Sequence, residues 1–291
     1  MTCHYLYIHI PWCLQKCIYC DFNSNTLCSS EDIDPYISAL CTDIKQELSI
    51  LRDGQKDCKI NSIFFGGGTP TILPPKQIQQ IINTISSHAS INPDAEISIE
   101  ANPETVDKEK LIAIKQSGIN RISFGVQTFD DKQLQYLHRA HTSAKAIEII
   151  NIAQDIGLTN INIDLMFGLP GQTIEQMTID IDKATVLNPA HISHYQLTLE
   201  PDTKLANMNP QMPSEELLTM MYQQSRNQLE KYGYHNYETS AFAKPGLECQ
   251  HNLNYWHFGD FIGIGAGAHG KQTITDKIIR YHKPMDYRDY I

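Results

Sequence analysis

Six β-rich runs alternate with amphipathic helices over the first two hundred residues of the chain, and this alternation restricts the fold more than any other feature. The strand candidates are 4–10, 61–66, 96–101, 120–126, 159–166 and 191–199. The helices between them have readable ends. Asp34-Pro35 reads as N-cap and first turn of a helix that buries Ile37, Leu40, Cys41, Ile44, Leu48 and Leu51, with Gly54 as its stop. Pro74-Pro75 opens the next, with Ile78, Ile81, Ile82 and Ile85 inward. Asp107 caps a third that ends at Gly118. Ser143 caps another, with Ile147, Ile150 and Ala153 facing the core and Gly157 terminating it. Thr173 and Gln176 form a capping box for a helix ending near Leu187. Such alternation means parallel βαβ units with right-handed crossovers. A closed eight-unit barrel takes about 250 residues, yet the pattern stops near residue 200. The expected fold is α/β, an open six-unit (βα)6 partial barrel over 1–200, with its active face at the C-terminal ends of the strands.

The first of those strand ends runs into Cys13, Cys17 and Cys20, spaced C-x3-C-x2-C. Three thiolates on one short loop can hold three irons of a [4Fe–4S] cube and leave the fourth iron open to a small molecule. The competing reading is a structural zinc knuckle. Zinc takes four ligands, usually from paired modules; no second module is present, and the spare groups nearby are His4, His9 and Cys28. The chain's eight cysteines are unevenly spread and do not resemble a disulfide framework, so a reducing compartment fits best.

No apolar run approaches the roughly 20 residues of a membrane span, and strand-like sequence stands where a secretory signal would. A cytoplasmic protein is expected. The net charge of −10 argues against nucleic acid as a main partner.

Further candidates fall at the other strand ends. Gly66-Gly-Gly-Thr-Pro70 lets a ligand approach the backbone, and its N–H groups are expected to bond a ligand carboxylate. Glu100 ends the third strand, where a carboxylate can bind an ammonium or a hydroxyl; Glu104 is a candidate cap for the following helix. Gln127 is placed to bond ribose hydroxyls, Arg139 to pair a carboxylate, and Asp164 points the same way. One polar residue per strand end around a barrel mouth is what a ligand site requires. Gly168-Leu-Pro-Gly-Gln172 reads as a structural turn.

From Pro201 the character changes. A linker leads to a helix capped by Ser214, with Leu217, Leu218, Met221, Tyr222 and Leu229 in register and Gly233 at its end. His251-Asn-Leu-Asn-Tyr-Trp256 then sets an imidazole among amides and aromatics, either a packed loop or a haem-binding segment. Gly263-Ile-Gly-Ala-Gly-Ala-His-Gly270 lacks the dinucleotide fingerprint and is expected to pack its backbone closely against the barrel or a ligand.

Together these motifs resemble the radical SAM (S-adenosylmethionine) superfamily, in its oxygen-independent coproporphyrinogen III oxidase-like family, over Tyr5 to about Lys283. The resemblance implies [4Fe–4S] ligation by Cys13, Cys17 and Cys20, and a SAM site formed by Tyr7, Tyr19, Gly67, Gly68, Thr69, Glu100, Gln127, Arg139 and Asp164. It matches His251 to the haem-linked histidine of a His-Asn-x-x-Tyr-Trp motif that marks the family's haem-chaperone branch. Phe22 stands where the oxidases carry a further cysteine, and the oxidases' N-terminal extension is absent; both favour the chaperone branch. The implied function is haem binding and delivery to apo-haemoproteins, with haem as cargo and an electron donor for the cluster; a homodimer and transient membrane contact are compatible with it. The alternative is radical decarboxylation of porphyrinogen propionates, and the resemblance leaves open whether SAM is cleaved. Residues 201–291 are expected to form an α+β extension that stops before most of the family's C-terminal helical domain.

Overall fold

The computed structural model describes residues 3–27, 29–54 and 59–291. Cys28 and Cys58, and the side chains of Cys3 and Leu51, lie outside the described residues.

The expected units form in order: β1 (Cys3–Ile10), α1 (Ile33–Gly54), β2 (Lys59–Gly67), α2 (Pro75–His88), β3 (Ser90–Ala101), α3 (Lys108–Gln116), β4 (Arg121–Gln127), α4 (Ser143–Asp155), β5 (Asn160–Phe167), α5 (Ile174–Val186) and β6 (His191–Gln196). All neighbouring pairs from β1 to β6 are parallel. Two helix starts differ from expectation. Asp34 does not cap α1, because a 3-10 turn over Ser30–Asp32, capped by Ser29, begins the helix one residue before Asp34. Thr142, not Ser143, caps α4 by accepting from the Lys145 amide, and the Ser143 amide donates to Asp131 instead. The capping box at Thr173 and Gln176 forms as its spacing demands.

Strand parity divides the sheet. Leu6, Ile8, Ile63, Phe65, Ile97, Ile99, Ile122, Phe124, Ile161, Ile163 and Ile192 point to the helices and are buried. Paired register puts the alternate residues on the other face, in rows such as Tyr5–Ser62–Glu96, Glu100–Ser123–Asn162–His191 and Gly125–Asp164–Ser193. A parallel sheet buried on both faces is ordinarily apolar throughout. Here one face is polar, and that face lines the cavities described below.

The segment after residue 200 is woven into the same sheet. Helix α6 (Glu215–Lys231) packs on α5, where the Gln228 amide donates to Asp182 at 2.6 Å; of its expected face only Met221 and Leu229 are fully buried. Strands β7 (His235–Asn236) and β8 (Ala241–Ala243) extend the β6 edge antiparallel. Helix α7 (Gln250–Trp256) lies against β2. Strand β9 (Ile262–Ile264) pairs parallel to β1 at the opposite edge, and β10 (His269–Ile274) with β11 (Lys277–His282) makes a separate hairpin. The sheet has nine strands among the described residues, in the order β9-β1-β2-β3-β4-β5-β6-β8-β7. No described helix is long and apolar enough to cross a membrane.

Candidate functional site

The cysteine loop leaves β1 at Pro11. Trp12-Cys13 forms a short parallel pairing with Asn25-Thr26. Trp12 is fully buried and sits edge-on to Tyr36 and Tyr287, with ring centroids 4.9 and 5.3 Å away. Lys16 closes the loop by donating to the carbonyls of Phe22 and Ser24. The thiols of Cys13, Cys17 and Cys20 all line one cavity of about 420 Å³. Among the described residues no three His, Cys, Asp or Glu side chains converge on one ion position. A cube is gripped at separate corners, one sulfur per iron, whereas a zinc knuckle needs its ligands around a single ion. Burial pushes the Cys13 and Cys20 thiols up, so cationic iron is what would hold them as thiolates.

The glycine run does not act as its sequence suggests. The Gly67 amide donates to Glu100 Oε2 at 3.2 Å, the Gly68 amide to the Ile10 carbonyl at 2.8 Å and the Thr69 amide to the Trp12 carbonyl at 2.7 Å. These N–H groups are therefore committed to the protein, not to a ligand carboxylate. The glycines are needed for close approach: a Cβ on Gly68 would lie 2.4 Å from the Trp12 carbonyl oxygen.

Charge in the cavity is concentrated in three half-buried groups. Arg139 reaches Cys17 Sγ at 3.3 Å through Nη1, and Nη2 donates to the Gly125 carbonyl and Asn102 Oδ1; its buried Nε has no partner among the described residues. Asp164 accepts from Ser123 Oγ at 3.0 Å and Asn162 Nδ2 at 2.7 Å, yet burial outweighs these bonds and raises its pKa. Burial, and then the nearby Asp164 charge, push Glu100 up to about 8. Gln127 ends β4 in the left-handed region at φ 72°, a conformation that costs a non-glycine residue about 1–3 kcal/mol. The turn is held by Asp180, which accepts from Thr128 Oγ1 and the Phe129 amide, each at 2.7 Å. Gln127 Oε1 in turn accepts from Tyr195 OH at 2.6 Å. Two carboxyls that burial holds back from ionising and one guanidinium with an unpartnered N–H suit a small ligand that carries both an ammonium and a carboxylate.

Glu100 yields a prediction with two opposite signs. Its pKa in the fold, about 8, lies above the value of about 4.3 for a free Glu. Its neutral form therefore contributes stability that is fully present below about pH 4.3 and is lost as pH rises through about 8. Glu100→Gln is expected to melt higher than the wild-type chain without cofactors, by an increment that grows across this window, and to bind SAM at least about tenfold more weakly, the loss of one charged pair. Calorimetric melts at several pH values and a SAM titration check both; a melting difference independent of pH would contradict the burial of this carboxyl.

Tyr19, Gly68, Thr69, Glu100, Gln127, Arg139 and Asp164 line the cysteine cavity. Tyr7 and Gly67 do not; they line an adjoining cavity of about 670 Å³, and Glu100 and Phe22 line both. Glu104 is not a helix cap: its carboxylate meets His141 Nδ1 at 3.2 Å. Asn102, Ser123 and Tyr195 belong to the site and escaped the sequence reading; the parity of β4 and β6 was the signal for the latter two. The 263–270 run packs as expected: a Cβ on Gly265 would lie 2.5 Å from the His9 carbonyl oxygen, and one on Gly267 2.2 Å from Asn23 Nδ2.

His251 lies apart from the cysteines. It is 1% exposed and stacks on Phe64 with centroids 5.2 Å apart. Its Nδ1 bonds Ser62 Oγ at 2.6 Å and its Nε2 bonds Tyr255 OH at 2.7 Å, so neither nitrogen faces a cavity. Burial drives its pKa down to about 3, which keeps the ring neutral. The start of α7 is fastened by Glu96, whose carboxylate accepts from Cys249 Sγ and the amides of Gln250 and His251 and stands 3.9 Å from Arg121.

Residues 7–184 match the model of the Radical SAM superfamily. The heme chaperone HemW of Haemophilus influenzae is 44% identical over 98% of this chain and 75% of its own length, and that of Escherichia coli is 43% identical over the same shares. The HemW of Bacillus subtilis is 41% identical over 91% of this chain and 70% of its own. The solved coproporphyrinogen III oxidase HemN of Escherichia coli, a radical SAM enzyme, superposes with a TM-score of 0.84 at 26% identity, over 99% of this chain and 68% of that one. An archaeal Elp3 of Methanocaldococcus infernus shares the fold at 16% identity and a TM-score of 0.55, over 77% of this chain and 53% of that one. The chain thus spans about three quarters of the length of these first relatives. Its parallel sheet, its cysteine loop and these likenesses agree: the chain belongs to the radical SAM superfamily, in the coproporphyrinogen III oxidase-like family that includes the heme chaperone HemW.

Proposed function

We propose that the chain is a haem chaperone that holds a [4Fe–4S] cluster on Cys13, Cys17 and Cys20, binds SAM in the cavity beside it, and passes haem to apo-haemoproteins. The observation that carries this reading is the pair of adjoining cavities with different chemistry. One is charged and thiol-lined; the other is walled by aromatics; Glu100 and Phe22 stand between them. The kinship with HemW proteins supports haem as the cargo.

When bound, the cluster supplies an electron and an open iron site for SAM. The chain's own residues do the rest. Arg139 neutralises the Cys17 sulfur and holds the 125 and 102 backbone and side-chain oxygens in place. Glu100 and Asp164 offer carboxylates to the ammonium and hydroxyls of the ligand, and Gln127 presents an amide from its strained turn. Residues 1–200 would carry the cluster and SAM, while 201–291 complete the sheet edges and supply one side of the aromatic cavity, opposite Tyr7, His9 and Phe22. His251 enters through Tyr255, which it holds on that cavity's wall. The free thiols suit the reducing cytoplasm. An electron donor for the cluster and an apo-haemoprotein acceptor are the partners this function requires, with a homodimer and transient membrane contact compatible with it.

The likeness to HemN favours a second reading, porphyrinogen decarboxylation. One anaerobic experiment separates the two. The reconstituted chain is given SAM, dithionite and coproporphyrinogen III, and a parallel sample is titrated with haem. We expect stoichiometric haem binding and no protoporphyrinogen; conversion of the porphyrinogen with release of 5′-deoxyadenosine would make the chain an oxidase.

A further inference from the structure

The second cavity, about 670 Å³ in volume, falls within the range of about 300–1,000 Å³ that small-molecule sites occupy. Four large apolar side chains on its rim face water: Phe22 is 58% exposed, Phe258 56%, Met285 52% and Tyr255 37%. Exposed apolar surface gathered around one concavity marks a binding site rather than unfinished core. Phe258 is held in the left-handed region at φ 58°, under two cations. Lys271 Nζ lies 4.3 Å and Arg280 Cζ 5.8 Å from its ring centroid. Lys271 is committed to Asp260 at 2.7 Å. Arg280 is exposed and has no carboxylate partner among the described residues. A site with aromatic walls and one uncompensated guanidinium at its edge selects a flat, apolar ligand bearing a carboxylate.

The imidazoles around this cavity differ in one decisive respect. His9 lines it, but its Nε2 bonds the Asn23 carbonyl at 2.8 Å and its Nδ1 bonds Tyr7 OH at 3.1 Å. His251 lies behind Tyr255 with both nitrogens engaged. His269 lines the cavity, is exposed, and its ring nitrogens make no hydrogen bond among the described residues. Of these three it is the imidazole with a lone pair free for iron; His282, its ring centroid 5.7 Å away, stands outside the cavity lining.

We propose that this cavity is the haem site, with His269 as the axial ligand of the iron and Arg280 as the partner of a propionate, and that His251 acts only as a positioning residue for Tyr255. This rests on the reading of the chain as a haem carrier and names its site. Ligation forms one N–Fe bond by donation of the imidazole lone pair, displacing a solvent ligand, with no change of oxidation state.

The test is a titration of the whole chain with ferric haem, followed by absorbance. His269→Ala is expected to lose the bands of imidazole-ligated iron and to bind at least about tenfold more weakly, the scale of a lost metal-site interaction. Added free imidazole should restore the bands. His251→Gln should keep them. Arg280→Gln should weaken haem binding several-fold and leave binding of haem dimethyl ester, which lacks the anionic charge, unchanged. His269 and Arg280 both face solvent, so their variants should keep the fold, and unchanged cluster iron in each checks this. Unaltered bands and affinity in His269→Ala would overturn the proposal and leave haem carriage intact. Loss of the bands in His251→Gln would overturn it in favour of the buried histidine. No binding of ferric haem by the wild-type chain would sink the carrier reading itself.

Discussion

Cys17→Ala is expected to abolish the iron–sulfur cluster while leaving the fold in place. Cys17 is partly exposed on a surface loop, and substitutions at such positions usually change stability by no more than about 0.5 kcal/mol. The cluster loses one of three protein attachments, and Arg139 loses the sulfur that lies 3.3 Å from its guanidinium. Iron and sulfide content after anaerobic reconstitution, with the visible absorbance of the cluster, measure the loss; a melt of the unreconstituted variant measures the fold. Cys249→Ala serves as control. That thiol is buried against Glu96 at 3.3 Å, and burial holds its pKa up at about 12. Its loss should cost stability and spare the cluster. A fully loaded Cys17→Ala protein would mean that the loop is not the ligand set.

The second large effect belongs to the floor of the polar face. Arg121 and Glu96 are both buried, and Glu96 also holds the amides of Gln250 and His251. Removing one partner of a buried pair strands the other charge, at a cost of about 3–5 kcal/mol. Arg121→Met should therefore lower the urea midpoint sharply and loosen α7, with Tyr255 and the wall it forms moving too. Glu96→Leu should cost a similar amount, and the double variant should recover only part of it, because an apolar pair cannot accept the α7 amides. A loss under about 1 kcal/mol in Arg121→Met, the worth of an exposed pair, would show that water reaches this site.

The architecture was legible because it rests on signals that single residues carry. Thr173 and Gln176 announced a helix start that the structure reproduces, and the glycines after α3 and α4 take the left-handed conformations, φ 101° at Gly118 and 76° at Gly157, that end a helix. Near misses were shifts by one residue between competing caps, as at Thr142 and Ser143. The segment after 200 was hard to read because its strands are three residues or fewer, apart from the hairpin, and β8 and β9 gain their meaning only from edges more than forty residues distant in sequence. The same limit applied at the site. That Gly67 and Gly68 look like ligand-binding amides is a local fact; that their N–H groups are taken by Glu100 and Ile10 depends on packing no window of sequence contains. His251 was likewise conspicuous as an imidazole among aromatics, while the hydroxyls of Ser62 and Tyr255 that occupy its nitrogens come from another strand and the next helical turn.

Strand β1 pairs at its outer edge with residues 262–264, and the cysteine loop leans on residues more than 240 positions later through Tyr287 and through Asn23, which donates to the Met285 carbonyl at 2.9 Å. At translation rates of about 5–20 residues per second, that edge waits roughly 13–50 s for its neighbour. An open strand edge is a template for misassembly throughout such a delay. Cluster insertion thereby waits on distant sequence: the loop that would receive iron acquires this support only once residues 285–287 have been made.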